Sequence, residues 1–379
     1  MVNFAPNKKP HIVVVGAGIL GCSVAFHAAL RGAQITLVDA AAPGQGATRL
    51  SFAWLNAYGK EPFNYHDLNR RSIEMWARFA RRLGIEITWG GEMRWAVTPA
   101  GADELTSRAR QLQTWGYPTR ILDAAEVARL EPNLNIDGLL AASYSDLDGQ
   151  VNTADVVTSA IDALTAQGAE ICTQSPVTGF DLAADTGRQT IRAAQMGDTR
   201  IPCDAVVLTG GVHTAQLAAL AGVTLPQYHT VGITVVTKPL PPLFENIAVL
   251  HSPRDKQPHV NFRQFADGSV MVQGSGRDNY SSGDRGATDA EVAQILADAA
   301  GYMPALANAQ VAEVRRGQRP IPQDGHPVIG FADEVSNLYL ATTHSGVTLA
   351  PIIGELAAIE MVDGTKVELL EPFRLGRFG

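Results

Sequence analysis

Residues 11–39 constrain this chain more than any other stretch. The run His11-Ile12-Val13-Val14-Val15 is short, apolar and β-branched, which reads as a buried parallel strand. Gly16-Ala17-Gly18-Ile19-Leu20-Gly21 follows directly. The spacing predicts a helix over Ile19 to Leu30, stopped at Gly32, then a second strand over Ile35 to Val38 that ends at Asp39. Each glycine has a mechanical task. Gly16 makes the tight turn out of the strand, Gly18 lets backbone approach a pyrophosphate, and Gly21 lets the helix pack closely on the sheet. The helix start then offers free N–H groups and a positive dipole end to phosphates. Asp39, about 20 residues on, can bond a ribose hydroxyl. A bare GxGxxG is weak evidence, but here strand, helix and acid all stand where a dinucleotide site needs them. On this motif alone FAD and NAD both remain open.

The second strand is followed by Ala40 and then Pro43-Gly44-Gln45-Gly46-Ala47-Thr48-Arg49-Leu50-Ser51, small residues and hydroxyls suited to line a diphosphate, or else an ordinary surface loop. Farther on, apolar residues at three- and four-residue steps predict a helix from Phe63 to Leu83. Strands are expected at Ile85–Trp89 and Met93–Thr98, joined as a hairpin through Gly90-Gly91. Thr153–Gln167 reads as a helix. Ala205–Thr209 reads as a buried strand running into Gly210-Gly211, and Val177 opens another strand. Val231–Thr237, His259–Gln264 and Val270–Gln273 alternate as antiparallel strands do.

Parallel-type units at both ends and in the middle, with antiparallel ones between, give an α/β fold. A Rossmann-type dinucleotide-binding domain is interleaved with an antiparallel-sheet α+β substrate domain. The first is expected to take residues 1–62, 140–225 and 305–379, the second 63–139 and 226–304. The net charge of −8 and the lack of a Lys/Arg run argue against nucleic acid. Cys22, Cys172 and Cys203 share no close spacing, so neither a metal site nor a redox pair is indicated. The first ten residues lack a leader's apolar stretch and no run suits a transmembrane segment, so a cytoplasmic protein is expected.

Four segments resemble the FAD-dependent amine and D-amino-acid oxidoreductases, the group of glycine oxidase, monomeric sarcosine oxidase, D-amino-acid oxidase and D-amino-acid dehydrogenase. They are VVVGAGILGCSVAFHAALRGAQITLVDA, GQGATRLSFAWLN, DGQVNTADVVTSAIDALTAQGAEI with CDAVVLTGG, and GQRPIPQDGHPVIG with NLYLATTHSGVTLAPIIGELAA. The resemblance implies FAD as cofactor, which makes the Rossmann-type unit an FAD-binding domain. It lays Gly46, Ala47, Thr48, Arg49, Ser51, Phe52, Ala53 and Trp54 beneath the flavin. It adds Val177, Gly210 and Gly211, and sets His344, Ser345, Gly346, Val347 and Thr348 near the pyrimidine edge. It implies that Arg319 binds a substrate carboxylate and that His259 falls roughly where glycine oxidase places a tyrosine. The family usually has Gly where Thr343 stands, and often Trp after the middle Gly, where Val212-His213 stands here. Arg315-Arg316-Gly317-Gln318 holds no Cys, so FAD is expected to be non-covalent.

The activity implied is oxidation of a small amino acid or secondary amine. A hydride passes from the carbon next to nitrogen to flavin N5, and the imine hydrolyses. Whether O2, a quinone or a partner protein accepts the electrons stays open, as does assembly into an oligomer. Each candidate has a plainer alternative: Arg319 as a structural ion-pair partner, His344 as a helix cap, and His259, His229 and Tyr228 as ordinary strand residues. An FAD-binding electron-transfer subunit, or a flavoenzyme of another reaction class, is the rival reading.

Overall fold

The computed structural model describes residues 9–185, 187–257, 259–275 and 288–379. The amino-terminal residues 1–8, over which no leader is expected, and part of the expected substrate segment, 276–287, lie outside the described residues. Among the described residues two large sheets dominate. The first has six strands in the order Val328–Phe331, Leu338–Thr342, Ala205–Leu208, His11–Val15, Gln34–Val38, Glu170–Cys172. All pairings are parallel except the first, which is antiparallel. Its central strands are buried from end to end, as expected when helices and other layers cover both faces.

The helix Ile19–Leu30 lies against the helix Gly346–Val362. Both are apolar around most of their circumference and both are buried. Gly354 sets their separation, because a Cβ there would fall 2.3 Å from Ser23 Oγ. Ser23 Oγ instead donates to Ala350 O at 2.6 Å. The long helix Phe63–Leu83 closes on the same element, with Ser72 Oγ and Trp76 Nε1 both donating to Thr348 O.

The second sheet has eight strands: Val311–Pro322, Gln227–Thr237, Val270–Ser275, His259–Gln264, Val249–His251, Glu92–Ala96, Ala141–Ser145 and Thr119–Leu122. One face is apolar. Met93, Trp95, Leu250, Val260, Phe262, Val270 and Val272 form a core there. By alternation the opposite face carries Glu92, Arg94, His251, Asn261 and Arg263, and these too are buried. Two strands that fall within the segments expected for the FAD-binding domain, Ala141–Ser145 and Val311–Pro322, are hydrogen-bonded into this sheet.

The hairpin expected at Gly90-Gly91 does not form. Ile87–Trp89 pairs with Gly149–Val151 in a small three-stranded sheet, whereas Glu92–Ala96 joins the large one. The two glycines carry the chain from one sheet to the other through positive φ (145° and 83°). A Cβ at Gly90 would sit 2.4 Å from Asn246 O, and one at Gly91 2.3 Å from Ser145 O. Close backbone on both sides, rather than a tight turn, requires glycine here. A separate three-stranded meander, Gly179–Asp185, Arg188–Met196 and Thr199–Pro202, completes the described strands. Among the described residues no helix is long and apolar enough to cross a membrane.

Candidate functional site

Gly16 leaves its strand at φ 111°, donating its N–H to Val38 O at 2.7 Å. A Cβ at Gly16 would meet Thr209 O at 2.5 Å. One at Gly21 would meet Gly16 O at 1.8 Å, so helix and turn are in contact there. Gly18 differs: the nearest atom to an added Cβ is Thr48 Oγ1 at 3.1 Å, and otherwise it faces open space. Thr48 Oγ1 accepts the Ile19 N–H at 3.0 Å and so ties the following loop to the helix start. Asp39 holds the turn from the other side. Its Oδ2 accepts from Ala17 N at 2.6 Å and its Oδ1 from Ala41 N at 2.8 Å.

Above this turn opens a cleft of about 920 Å³, within the range of small-molecule and cofactor sites. Gly16, Gly18, Ile19 and Leu20 form its floor. Asp39 and Ala40 stand at one end, and Gly46, Ala47, Thr48 and Ser51 along one wall. Val177, Gly210 and Gly211, and His344, Gly346 and Val347, also line the cleft. The glycine floor, the helix start and an acid in the lining fit a dinucleotide: of the three motif glycines, Gly18 is the one where an added Cβ would meet only a side-chain oxygen, and its backbone is the one a pyrophosphate would approach.

Other residues expected at the cofactor lie off this wall. Gly21 packs beneath it. Arg49 is exposed and turns to an ion pair with Glu313. Phe52 and Ala53 do not reach the cleft, and Trp54 donates Nε1 to Asp148 at 2.8 Å. Ser345 shares a 2.8 Å hydrogen bond with Tyr65 OH, and Thr348 Oγ1 donates to Trp54 O at 3.1 Å. Both therefore hold the loop around His344 rather than line it. Unanticipated wall residues include Ser175, Pro176, Thr209, Arg316, Gln318 and Thr342. The every-second-residue series Arg316, Gln318, Pro320 is a strand signal that could have found three of the wall positions.

Arg319 points off the other face of that strand. Its guanidinium lies over Gly232, where a Cβ would fall 2.1 Å from Nη2, and Nη1 donates to Val231 O at 3.4 Å. His344 presents its ring to the cleft. Crowding by surrounding protein, then the charges of Lys60 and Arg319, pull its pKa down to about 4. His259 does not line the cleft. Its Nδ1 is 3.0 Å from Pro253 O and its Nε2 2.8 Å from Gln257 Nε2. Since a carbonyl only accepts, Nδ1 carries the proton and Nε2 accepts from the glutamine amide. The ring belongs to the polar sheet face. In the sheet order one strand separates the strand of Gly232 from that of His259, a distance of at least roughly 10 Å at the usual inter-strand spacing.

A buried ionisable cluster next to Trp54 has no local sequence signature. Glu92 pairs with Arg94, and His251 Nε2 lies 3.6 Å from Glu92 Oε1. Asp148 accepts from Tyr117 OH as well as Trp54 Nε1. Arg94 stacks over Tyr58, 3.7 Å from the ring centroid. Burial pushes the Glu92 carboxyl up, with Arg94 opposing. Burial, then Glu92, raises Asp148, and burial, then Arg94 and Arg254, holds His251 well down.

The family profile described as "FAD dependent oxidoreductase" matches residues 11–359. The chain is 26% identical over 377 residues to the glycine oxidase of Geobacillus kaustophilus (strain HTA426), covering 97% of this chain and 96% of that one. It is 24% identical to a subunit of the opine oxidase of Agrobacterium tumefaciens (strain Ach5), covering 97% of each. Among solved structures, L-proline dehydrogenase from P. horikoshii superposes with a TM-score of 0.86 at 22% identity, over 98% of both chains, which speaks to fold alone. With its cradle, cleft and whole-length match, the chain belongs to the FAD dependent oxidoreductase family.

Proposed function

We propose that the protein oxidises a small amino acid or secondary amine, with Arg319 anchoring a substrate carboxylate beside His344. The observation that carries this reading is the Arg319 guanidinium over Gly232, on the strand whose neighbouring residues Gln318 and Pro320 line the FAD cleft together with His344. Support also comes from relatives named for glycine and opine oxidation.

Bound FAD supplies the two-electron acceptor for a hydride from the carbon next to nitrogen. The chain's own residues do the rest. A bidentate Arg319–carboxylate pair fixes one end of the substrate. Lys60, the first charge acting on His344, raises the local positive potential. That favours the neutral form of an incoming amine, which is the form able to release a hydride. His344, uncharged at neutral pH, can accept a hydrogen bond from that amine. Tyr65 and Ser345 hold the histidine loop in place. The imine then hydrolyses in water. With no Cys in Arg315-Arg316-Gly317-Gln318, FAD is held without a covalent bond. Acid precipitation is therefore expected to leave the yellow colour in solution, and colour in the pellet would contradict this.

A second reading, an FAD-carrying chain that works with a partner, draws on the likeness to a relative that is itself named as a subunit of a larger oxidase. Anaerobic mixing of the isolated holoprotein with glycine, sarcosine, proline, hydroxyproline and D-amino acids separates the two. Bleaching of the flavin by at least one of them supports the first reading, and failure of every amine counts against it.

A further inference from the structure

We infer that a small oxyanion of carboxylate or phosphate type binds in a second cavity, with the guanidinium of Arg263 as its floor. This cavity, about 590 Å³, lies on the far side of the loop at residues 43–49, and Gln45 and Thr48 contribute to both it and the FAD cleft. Arg263 is only 2% exposed. Phe265 covers it, with 4.3 Å from the guanidinium carbon to the ring centroid. Of its five N–H groups, those on Nη1 reach Gln150 Oε1 and Val151 O, while Nε has no acceptor. Among the described residues no carboxylate lies within 4.0 Å of it.

The acids along the cavity, Glu86, Asp155 and Asp267, are exposed at its rim, where water screens them. The other two guanidinium groups in the wall, on Arg49 and Arg315, are both turned to Glu313. Burial, then the like charge of Arg315, draws the Arg263 pKa down to about 9. A buried cation without a counter-ion is costly. A second, independent feature points the same way. The helix Thr153–Ala166, 14 residues long, begins at this cavity, with Asn152, Thr153 and Ala154 in the wall. Asn152 Oδ1 accepts from the Ala154 N–H at 3.1 Å, and the first turn adds positive potential at the cavity. The guanidinium and the helix start border the same cavity, and a planar fork of donors suits an oxygen anion.

The test titrates the holoprotein with inorganic phosphate and, separately, with acetate. Chloride holds the ionic strength constant, and the readouts are calorimetry and thermal unfolding. Saturable heat and a Tm that climbs and levels off are expected with at least one of them, and which one responds assigns phosphate or carboxylate chemistry. Arg263→Gln should weaken that binding at least tenfold, and Arg263→Lys should retain part of it. No saturable response to either anion in the wild type, or a response in Arg263→Gln equal to wild type, overturns the proposal. If Arg263→Gln does not fold, Arg263→Lys decides: affinity there equal to wild type also overturns it.

Discussion

Gly18 and Gly21 stand three residues apart on one turn, yet adding a single methyl group at each should fail in different ways. At Gly21 the new Cβ would fall 1.8 Å from Gly16 O and 2.6 Å from Thr209 Oγ1. The carbonyl cannot swing away freely, because Thr209 Oγ1 donates to it at 2.9 Å. Alanine gains about 1 kcal/mol of helix propensity over glycine. Overpacking costs about 1–3 kcal/mol, sometimes more, and a 1.8 Å contact belongs at the severe end. The net loss for Gly21→Ala should be about 2 kcal/mol, already present in the apoprotein, and FAD affinity should fall with it. At Gly18 the new Cβ would meet only Thr48 Oγ1 at 3.1 Å, and the backbone there has φ −76°, open to any residue. Apoprotein stability should change by less than about 1 kcal/mol, the scale of an unfavourable cap residue. The methyl group would instead occupy the path of the pyrophosphate. Losing one charge-assisted hydrogen bond costs about 1.5–3 kcal/mol, or roughly ten- to hundredfold in Kd. Urea unfolding of both apoproteins and flavin-fluorescence titration of both with FAD would check this. A Gly18→Ala variant that binds FAD within about threefold of wild type would refute the cradle as argued, as would a Gly21→Ala apoprotein of wild-type stability.

Other perturbations follow from the same geometry. Arg319→Ala should raise the KM for an amino-acid substrate, by the equivalent of about 1.5–3 kcal/mol for a lost charged hydrogen bond, and an unchanged KM would remove Arg319 from the site. Glu92→Gln should leave Arg94 buried without its partner, costing about 3 kcal/mol or more in urea unfolding. A loss under about 1 kcal/mol, the worth of a surface pair, would show that the pair is not needed. His27 is 4% exposed, its Nε2 has no partner, and burial, then Arg82, Arg78 and Arg31, lowers its pKa to about 3. The unfolded chain therefore binds a proton that the folded one refuses, so stability is whole above pH 6.5 and declines as pH falls towards 3. His27→Leu should remove that decline and gain on wild type by about 2 kcal/mol between pH 7 and pH 5. Parallel curves for the two proteins would contradict it.

The cofactor cradle is legible because its determinants lie within about 30 residues, the span of one βαβ unit, and each has one mechanical reason to be there. Gly16 at φ 111° and Gly21 against Gly16 O are both demanded by the turn itself. The loop after it is less legible. The resemblance assigns Arg49 to the cofactor, and that side chain is paired with Glu313, 264 residues away. Trp54 likewise turns to Asp148, 94 residues on. Ser345 and Thr348 sit in the right loop, but their hydroxyls go to Tyr65 and to Trp54 O. Local spacing can say that a loop passes a site. It cannot say which side chains of that loop another part of the chain will take up.

The large antiparallel sheet shows why the substrate side is harder still. Its strands alternate cleanly, and a polar face on such a sheet ordinarily meets water. On that expectation His259 and its neighbours look like surface residues. In the folded chain Glu92, His251, Asn261 and Arg263 on that face are all no more than 6% exposed. Burying so many polar groups is unfavourable unless each is hydrogen-bonded or ion-paired. Most are: Glu92 with Arg94, His251 with Asn261, and Arg263 in part with Gln150. Alternation reveals that a face is polar, while only the chain that covers it reveals that it is dry. Here residues 51–60 do much of the covering, through Trp54 and Tyr58.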